Sequence, residues 1–493
     1  MALFGFQLVL TMIAASVMQK FSGRFSLGRW LICSTKLFTY LPPSDEYLHS
    51  LAGHIKEKKK KRDRNDDDDK VFKVPRNLDI SLNKKMITLE DVINLKYYID
   101  YQWLIDFSLY AFLVYGLTEV YYGIYKDVGN QMNLSVLWCG VLLCYSVKLL
   151  ISTTGLYFRS DETQAERSIV IISGCSYFVF ALAILIVDEK KLELGLDSAY
   201  ASFNQSAHEF LNLAGIDSDG IASKLILKLC VAVCCGISAA LITFPGFRLS
   251  RMHWDALKLC QGKPFKKLLL HTNFIMPFLV ALMWVKPLTR EYFTERVFSG
   301  RDKPFMTDNM FDILRIILTI FFCISRIILL PIYLQVYLNS AEQSLLSQKK
   351  EVGRVSNVDV QVTVARPFHC LFIVALQIVA PVMITLCLAV LYKTLGDFSW
   401  LGNPVNRHFS RNQTFSAPSD GTNQKEQFAT AMSMFRDLSV SQLLVKLVCA
   451  KCLLASQNCR YMLLVFLVWT VDTCCLNLAH SKPLNTSHSY AHS

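Results

Sequence analysis

Residues 225–247 read LILKLCVAVCCGISAALITFPGF, and residues 268–285 read LLLHTNFIMPFLVALMWV. Each run has roughly the 20 apolar residues that an α-helix needs to cross about 30 Å of hydrocarbon. The segment between them contains one acid, Asp255, and six basic residues: Arg248, Arg251, Lys258, Lys263, Lys266 and Lys267. Short basic loops stay on the cytosolic side of a membrane. The stretch therefore predicts a helical hairpin whose turn faces the cytosol.

The composition of the whole chain agrees with a membrane protein. Of its 493 residues, 53% are hydrophobic and only 18% are charged, and the mean hydropathy is +0.33. The net charge of +12 lies mainly beside the apolar runs, where basic residues orient spans and meet anionic lipid headgroups. We expect an integral, multi-pass protein of the plasma membrane or an endomembrane, with the lipid bilayer as its partner and no nucleic acid.

The N-terminal hundred residues divide into two parts. Residues 1–19 form an N-terminal anchor or signal segment, and the basic residues after the run, rather than before it, favour an uncleaved anchor with its N-terminus outside. Residues 20–99 form a polar, charged loop in which the basic block 58–62 precedes the acidic block 66–69. Opposite charge blocks without aromatic residues are typical of solvated, disordered chain.

The remainder predicts an all-α, polytopic membrane protein with about eight or nine transmembrane helices. Residues 100–392 form a transmembrane helical bundle of seven spans, at 101–122, 134–157, 168–187, 225–247, 268–286, 313–334 and 368–392. A polar loop with an interfacial segment follows at 393–460, and residues 461–493 hold the last span and a tail. The N-glycosylation candidates Asn204 and Asn412 fall in loops that this topology places outside.

Charges inside the spans are the candidates for a functional site, because each is costly in hydrocarbon and needs a partner or water. They are Asp106, Glu119, Lys148, Arg315, Arg326 and Asp472. At 1.5 Å per residue, Glu119 and Arg315 lie near the outer boundary and the other four in the inner half. We hypothesise that the spans at 101–122, 134–157 and 313–334 pack through two layers of ion pairs. The same charges could instead line a polar layer that conducts ions or protons.

The sequence lacks the common signatures of catalysis. It contains no G-x-x-x-x-G-K-[ST], H-E-x-x-H or G-x-S-x-G pattern. We therefore expect no enzyme activity, no catalytic or metal-binding residues and no cofactor. Gly236 and Ala240 form a small-xxx-small face on the span at 225–247, which is typical of close helix packing.

Several short motifs resemble the transmembrane protein 161 family, and together they extend over nearly the whole chain. They are Arg29–Cys33, Tyr101–Phe107, Thr118–Tyr122, Glu166–Ser168, Thr243–Leu249, Met252–Leu257, Trp284–Pro287 and Lys393–Trp400. The resemblance implies a polytopic glycoprotein without an established molecular activity. It also implies an association with protection against oxidative and DNA-damage stress, with ion currents and with calcium handling. No site residue is carried over with it.

Two functions are therefore expected. The first is a non-enzymatic multi-spanning membrane protein that modulates ion handling (calcium and potassium currents) and stress responses, acting on other membrane proteins such as channels. The alternative is a transporter or channel with its own polar pathway through the bundle.

Overall fold

The computed structural model describes residues 2–21, 24–56, 73–74, 80–124, 135–159, 164–186, 200–201, 204–205, 208, 223–297, 304–350 and 355–395. Within these ranges it contains seven helices that are long and apolar enough to cross a membrane. The predicted all-α, polytopic class is confirmed, and the seven helices correspond to the seven spans expected between residues 100 and 392. The expected last span and the loop before it lie outside the described residues.

The described residues are mostly helical, and the described strands are only two or three residues long. The helices are α1 (Ala2–Phe21), α2 (Leu27–Cys33), α3 (Asp45–Lys56), α4 (Leu89–Ile93), α5 (Tyr98–Ile124), α6 (Val136–Arg159), α7 (Gln164–Ile186), α8 (Lys224–Leu259), α9 (Pro264–Leu282), α10 (Asp308–Lys350), α11 (Asn357–His369) and α12 (Leu371–Leu395). The strands are β1 (Phe38–Tyr40), β2 (Lys73–Val74), β3 (Lys84–Met86) and β4 (Val355–Ser356), and they pair antiparallel as β1–β3 and β2–β4.

The bundle has two ends, which we call the near side and the far side. The near side holds α2, α3 and β1, the turn between α8 and α9, and α11. The far side holds the end of α5, the start of α10 and the end of α12. Tertiary hydrogen bonds support this assignment, because the Asn357 amide at the start of α11 donates to Asp45 over 2.8 Å. The sequence-based expectation places the near side in the cytosol.

Two membrane helices extend well beyond the spans that the sequence predicted. Helix α8 has 36 residues and α10 has 43, so they are about 54 and 64 Å long, against about 30 Å of hydrocarbon. The expected loops at 248–267 and 339–366 are thus largely helical, which corrects the sequence-based boundaries. Pro245 does not end α8, since proline is tolerated in membrane helices when neighbouring groups satisfy the freed carbonyl.

The N-terminal segment also differs from the solvated loop expected for residues 20–99. Its two ends fold onto the near side of the bundle, where Ile32, Leu37, Tyr40 and Leu48 are buried. The Gln335 side chain of α10 accepts from the Phe38 N–H over 3.0 Å and donates to the Phe38 carbonyl over 3.2 Å. These apolar residues are too sparse to form a recognisable run, so only the tertiary fold reveals them. The charge blocks at 58–69 lie outside the described residues.

Helix α12 is the centre of the bundle and α7 lies at its edge. The most apolar 18-residue window of the α11–α12 segment is 94% buried, whereas that of α7 is 22% buried. Helix α7 packs mainly on α8, and there the small face predicted from Gly236 and Ala240 is in contact. A Cβ built on Gly236 would lie 3.2 Å from the Gly174 carbonyl oxygen, and one on Gly174 would lie 3.2 Å from the Ala240 Cβ.

Candidate functional site: buried charges at the far side

An ion pair between Glu119 and Lys393 joins the far-side ends of α5 and α12. Both side chains are largely buried, with 12% and 5% of their surface exposed. A hydrogen bond one turn away supports the same contact, because the Tyr115 and Thr394 hydroxyls lie 3.1 Å apart. A buried pair of opposite charges loses much of its hydration, so its position fixes which two helices meet.

Arg315, near the far-side end of α10, is the largest fully buried side chain of the described residues. Its guanidinium makes an ion pair with Asp312, three residues earlier on the same helix. It also lies 4.0 Å from the centroid of the Trp284 ring and 5.8 Å from that of Tyr392. A guanidinium suits this aromatic site because it is planar, permanently charged and more weakly hydrated than an ammonium.

The charged layer continues outward through Arg290, which follows α9. Its guanidinium is 3.0 Å from Asp308 and 3.5 Å from Asp312, both in the first turns of α10. Two arginines therefore share Asp312. We call Glu119, Lys393, Asp312, Arg315 and Arg290 the far-side charge layer. It brings together the ends of α5, α10 and α12 and the segment after α9.

The structure places the predicted charges differently from the two layers proposed above. Glu119 and Arg315 both belong to the far-side layer, as their depths suggested. Glu119 pairs with Lys393 at the end of the span expected at 368–392, and not with a residue of the span expected at 313–334. Lys393 was expected to lie in the loop at 393–460. In the sequence, only the position of Lys393 in the motif Lys393–Trp400 indicated that this residue could have a specific role.

Of the inner charges, Asp106 contacts backbone rather than a basic side chain. Its carboxylate accepts the Gly28 N–H of α2 over 3.1 Å. A Cβ on Gly28 would lie 3.2 Å from the Gln102 Cα, so glycine permits this close approach of α2 to α5. Asp106 therefore anchors the folded N-terminal segment to the bundle.

Lys148 and Arg326 do not meet in an inner layer. Lys148 is exposed on α6, with its ammonium 5.8 Å from the centroid of the Tyr145 ring. Arg326 is buried on α10, with its guanidinium 5.1 Å from the centroid of the Phe322 ring. The hypothesis that the span at 134–157 contributes Lys148 to a buried ion-pair layer is therefore wrong.

A second polar group lies toward the near side, and Arg326 is the one member of it that was among the predicted intramembrane charges. The Arg248 guanidinium donates to the Gln377 side chain of α12 over 2.8 Å. His253 stacks on Phe274 at 4.5 Å between centroids, and its ring is 6.0 Å from that of His271. Arg326 lies within electrostatic range of His253. We call Arg248, Gln377, His253, His271 and Arg326 the near-side polar group.

The remaining predicted residues stay untested. Asp472 and Asn412 lie outside the described residues. Asn204 lies in the short described piece 204–205 and is half-buried; the alternation of the spans puts the connection that contains it on the far side. Across the described ranges, no group of three or more His, Cys, Asp or Glu side chains is arranged to hold a metal ion.

A groove of about 640 Å³ opens between α5, α10 and α12. Its lining is apolar along nearly its whole length, from Leu27 and Ile105 at the near end to Val120 at the far end. Glu119 lines that far end. The far-side charge layer and this groove therefore meet at Glu119.

The comparison with known families covers almost the entire chain. A family model described as "Predicted transmembrane protein 161AB" matches residues 2–481. No solved structure matches the chain. The match takes in every described helix together with the far-side charge layer. The chain therefore belongs to the transmembrane protein 161AB family.

Proposed function

We propose that the chain is a non-enzymatic membrane protein that modulates ion handling, through calcium and potassium currents, and cellular stress responses by acting on other membrane proteins such as channels. One observation carries the proposal. The far-side charges make ion pairs and aromatic contacts that join helices, and the central helix α12 is largely buried. Separating such buried partners leaves an uncompensated charge and is costly, so these contacts favour one fixed arrangement of the helices.

The edge of the bundle supports the same proposal. Ile171, Ile172 and Val179 on α7 are exposed, and α7 packs mainly on α8. Apolar helix faces at the edge of a membrane bundle contact lipid or the spans of another protein. The α7–α8 hairpin is the surface on which we expect a partner span to pack.

The alternative, a transporter or channel in its own right, is favoured by the near-side polar group. Arg248, Gln377 and Arg326 lie at the packed interface of α8, α10 and α12, where a pathway through the bundle would need polar side chains. This group occupies one side of the bundle, and the groove above it is apolar. We therefore rank this function second.

Reconstitution separates the two functions. Purified full-length protein in liposomes is assayed for K⁺ and Ca²⁺ flux against protein-free liposomes, and whole-cell currents are recorded from cells with and without the gene. The proposal expects no added flux and a change in current that re-expression reverses. Flux from the purified protein overturns it, particularly if Arg248→Met abolishes that flux and Arg251→Met, one turn away and exposed, does not.

A further inference from the structure

The groove between α5, α10 and α12 has the form of a lipid site that opens sideways into the membrane. Leu109 and Ile324 line it and are exposed on the outside of the bundle, so they form its rim. Its volume of about 640 Å³ is typical of a pocket for one small molecule. In a membrane, the molecules at such an opening are lipids.

The dimensions of the groove match a short, rigid lipid. Ile105 and Glu119 line its two ends on the same helix. They are 14 residues apart, which is about 21 Å at 1.5 Å per residue. This is less than the 30 Å of the full hydrocarbon core. The occupant therefore reaches from the far-side boundary to just past the middle of the bilayer.

The polar chemistry of the groove selects the end group of the ligand. Three polar side chains are among its lining residues: Ser108, Tyr115 and Glu119. The Ser108 hydroxyl donates to the Ile105 carbonyl, and the Tyr115 hydroxyl is hydrogen-bonded to Thr394. Glu119 lies at the far end, and Lys393, which is paired with it, is not among the lining residues. A carboxylate has about four acceptor sites, so a carboxylate that is already paired can accept a further hydrogen bond. A ligand hydroxyl can donate a hydrogen bond to such a carboxylate, whereas an ionised phosphate diester or fatty-acid carboxylate carries no proton to donate.

The walls favour a rigid ring system over a flexible chain. Branched aliphatic side chains such as Ile320 and Ile327 line the groove together with Gly116 of α5, which has no side chain. Nothing lies within 4 Å of a Cβ built on Gly116, so a flat molecule can approach the backbone there. A preformed ring system also loses less conformational freedom on binding than an acyl chain does.

We propose that this groove binds one sterol molecule, with the sterol hydroxyl donating to Glu119 and the ring system lying against Gly116. The inference is independent of whether the protein acts on a channel. It gives the far-side ion pair a second role, because Lys393 holds the Glu119 side chain in place at the end of the groove.

The test is photolabelling of the full-length protein in cell membranes. A sterol carrying a diazirine and an alkyne is irradiated, with and without excess unlabelled sterol, and labelled peptides are identified by mass spectrometry. We expect competed labelling on the groove faces of α5, α10 and α12. Labelling spread evenly over all faces of the bundle, or not reduced by unlabelled sterol, overturns the proposal. So does labelling of the groove by an acyl-chain phospholipid probe that sterol does not compete.

Two matched pairs of variants make the test specific. Gly116→Leu fills the groove, whereas Gly140→Leu adds the same side chain on α6, where nothing lies within 4 Å of the new Cβ and which does not line this groove. We expect Gly116→Leu alone to lower competed labelling by about tenfold, equivalent to about 1.4 kcal/mol. Leu109→Trp obstructs the rim, and Leu113→Trp, one turn away and also exposed, does not. Equal labelling within both pairs overturns the site.

Discussion

Glu119 and Lys393 form an ion pair across 274 residues of sequence, and this contact holds the far-side end of α5 to the end of α12. Reversing one partner places two like charges in a buried site. We expect Glu119→Lys or Lys393→Glu to lower the stability by about 3–5 kcal/mol, the cost of breaking a buried pair. The measurement is thermal unfolding of the purified protein in detergent.

The double variant and an exposed pair supply the controls. Combining Glu119→Lys with Lys393→Glu restores opposite charges and should recover most of the loss. Reversal at Asp255 should cost less than about 1 kcal/mol, because its partner Lys258 has 73% of its side-chain surface exposed. If the double variant is no more stable than either single one, the pair does not join the two helices.

The Tyr40 hydroxyl donates to Glu342 over 2.9 Å and so ties the N-terminal segment to α10. Hydrogen bonds to a charged group contribute about 1.5–3 kcal/mol, so Tyr40→Phe should loosen residues 24–56. Limited proteolysis reports this as faster cleavage within that segment. Tyr47→Phe, which removes an exposed hydrogen bond to Ser81, is the control and should leave the rate unchanged.

The same contact has a defined pH dependence. Burial and the hydrogen bond with Glu342 raise the pKa of Tyr40 from 10.0 to about 12. A group with a raised pKa in the folded state stabilises the fold fully below its unfolded pKa and loses that contribution as the pH rises through the folded value. Protection of residues 24–56 should thus be constant up to about pH 10 and decline toward 12. Tyr40→Phe should show no such decline.

Close contact at Gly236 makes the α7–α8 hairpin sensitive to side-chain size. A Cβ there would lie 3.1 Å from the Phe178 Cβ and 3.2 Å from the Gly174 carbonyl oxygen. Gly236→Leu should therefore separate the helices and cost about 1–3 kcal/mol, as overpacking does elsewhere. Thermal unfolding measures the loss against Gly140→Leu, where the added side chain meets open space. Equal loss in the two variants would mean that α7 and α8 do not pack at this point.

The seven described spans could be read from the sequence because the length of an apolar run reports directly on the thickness of the bilayer. The small face at Gly236 was also predictable, since it depends on spacing along one helix. The N-terminal segment was not, because its contacts to Gln335 and Glu342 join residues about 300 positions apart. Those residues have no local periodicity to show that they are buried.

Depth along a helix was predictable from the charges, but the choice of partner was not. Glu119 and Arg315 lie in one layer because both are near span ends. The partner of Asp106 is a backbone N–H, which any residue except proline carries, so no sequence pattern marks it. The burial of Lys393 was not predicted, because basic residues at the ends of spans usually lie in the flanking loops.

Helices α6 and α12 pack against each other, and Cys139 on α6 and Cys387 on α12 are both fully buried and close enough to interact. A membrane-permeant oxidant such as diamide should therefore join them, each thiol losing its proton and one electron as the sulfur–sulfur bond forms and diamide is reduced. Geometry limits such a bridge to Cα atoms closer than about 7 Å.

With a protease site inserted at 298–303, the cleaved halves should stay together on a non-reducing gel and separate after reduction. Cys139→Ser or Cys387→Ser should release them even after oxidation, whereas Cys144→Ser, exposed on α6, should not. Halves that separate in the oxidised wild type would mean that α6 and α12 pack in another register.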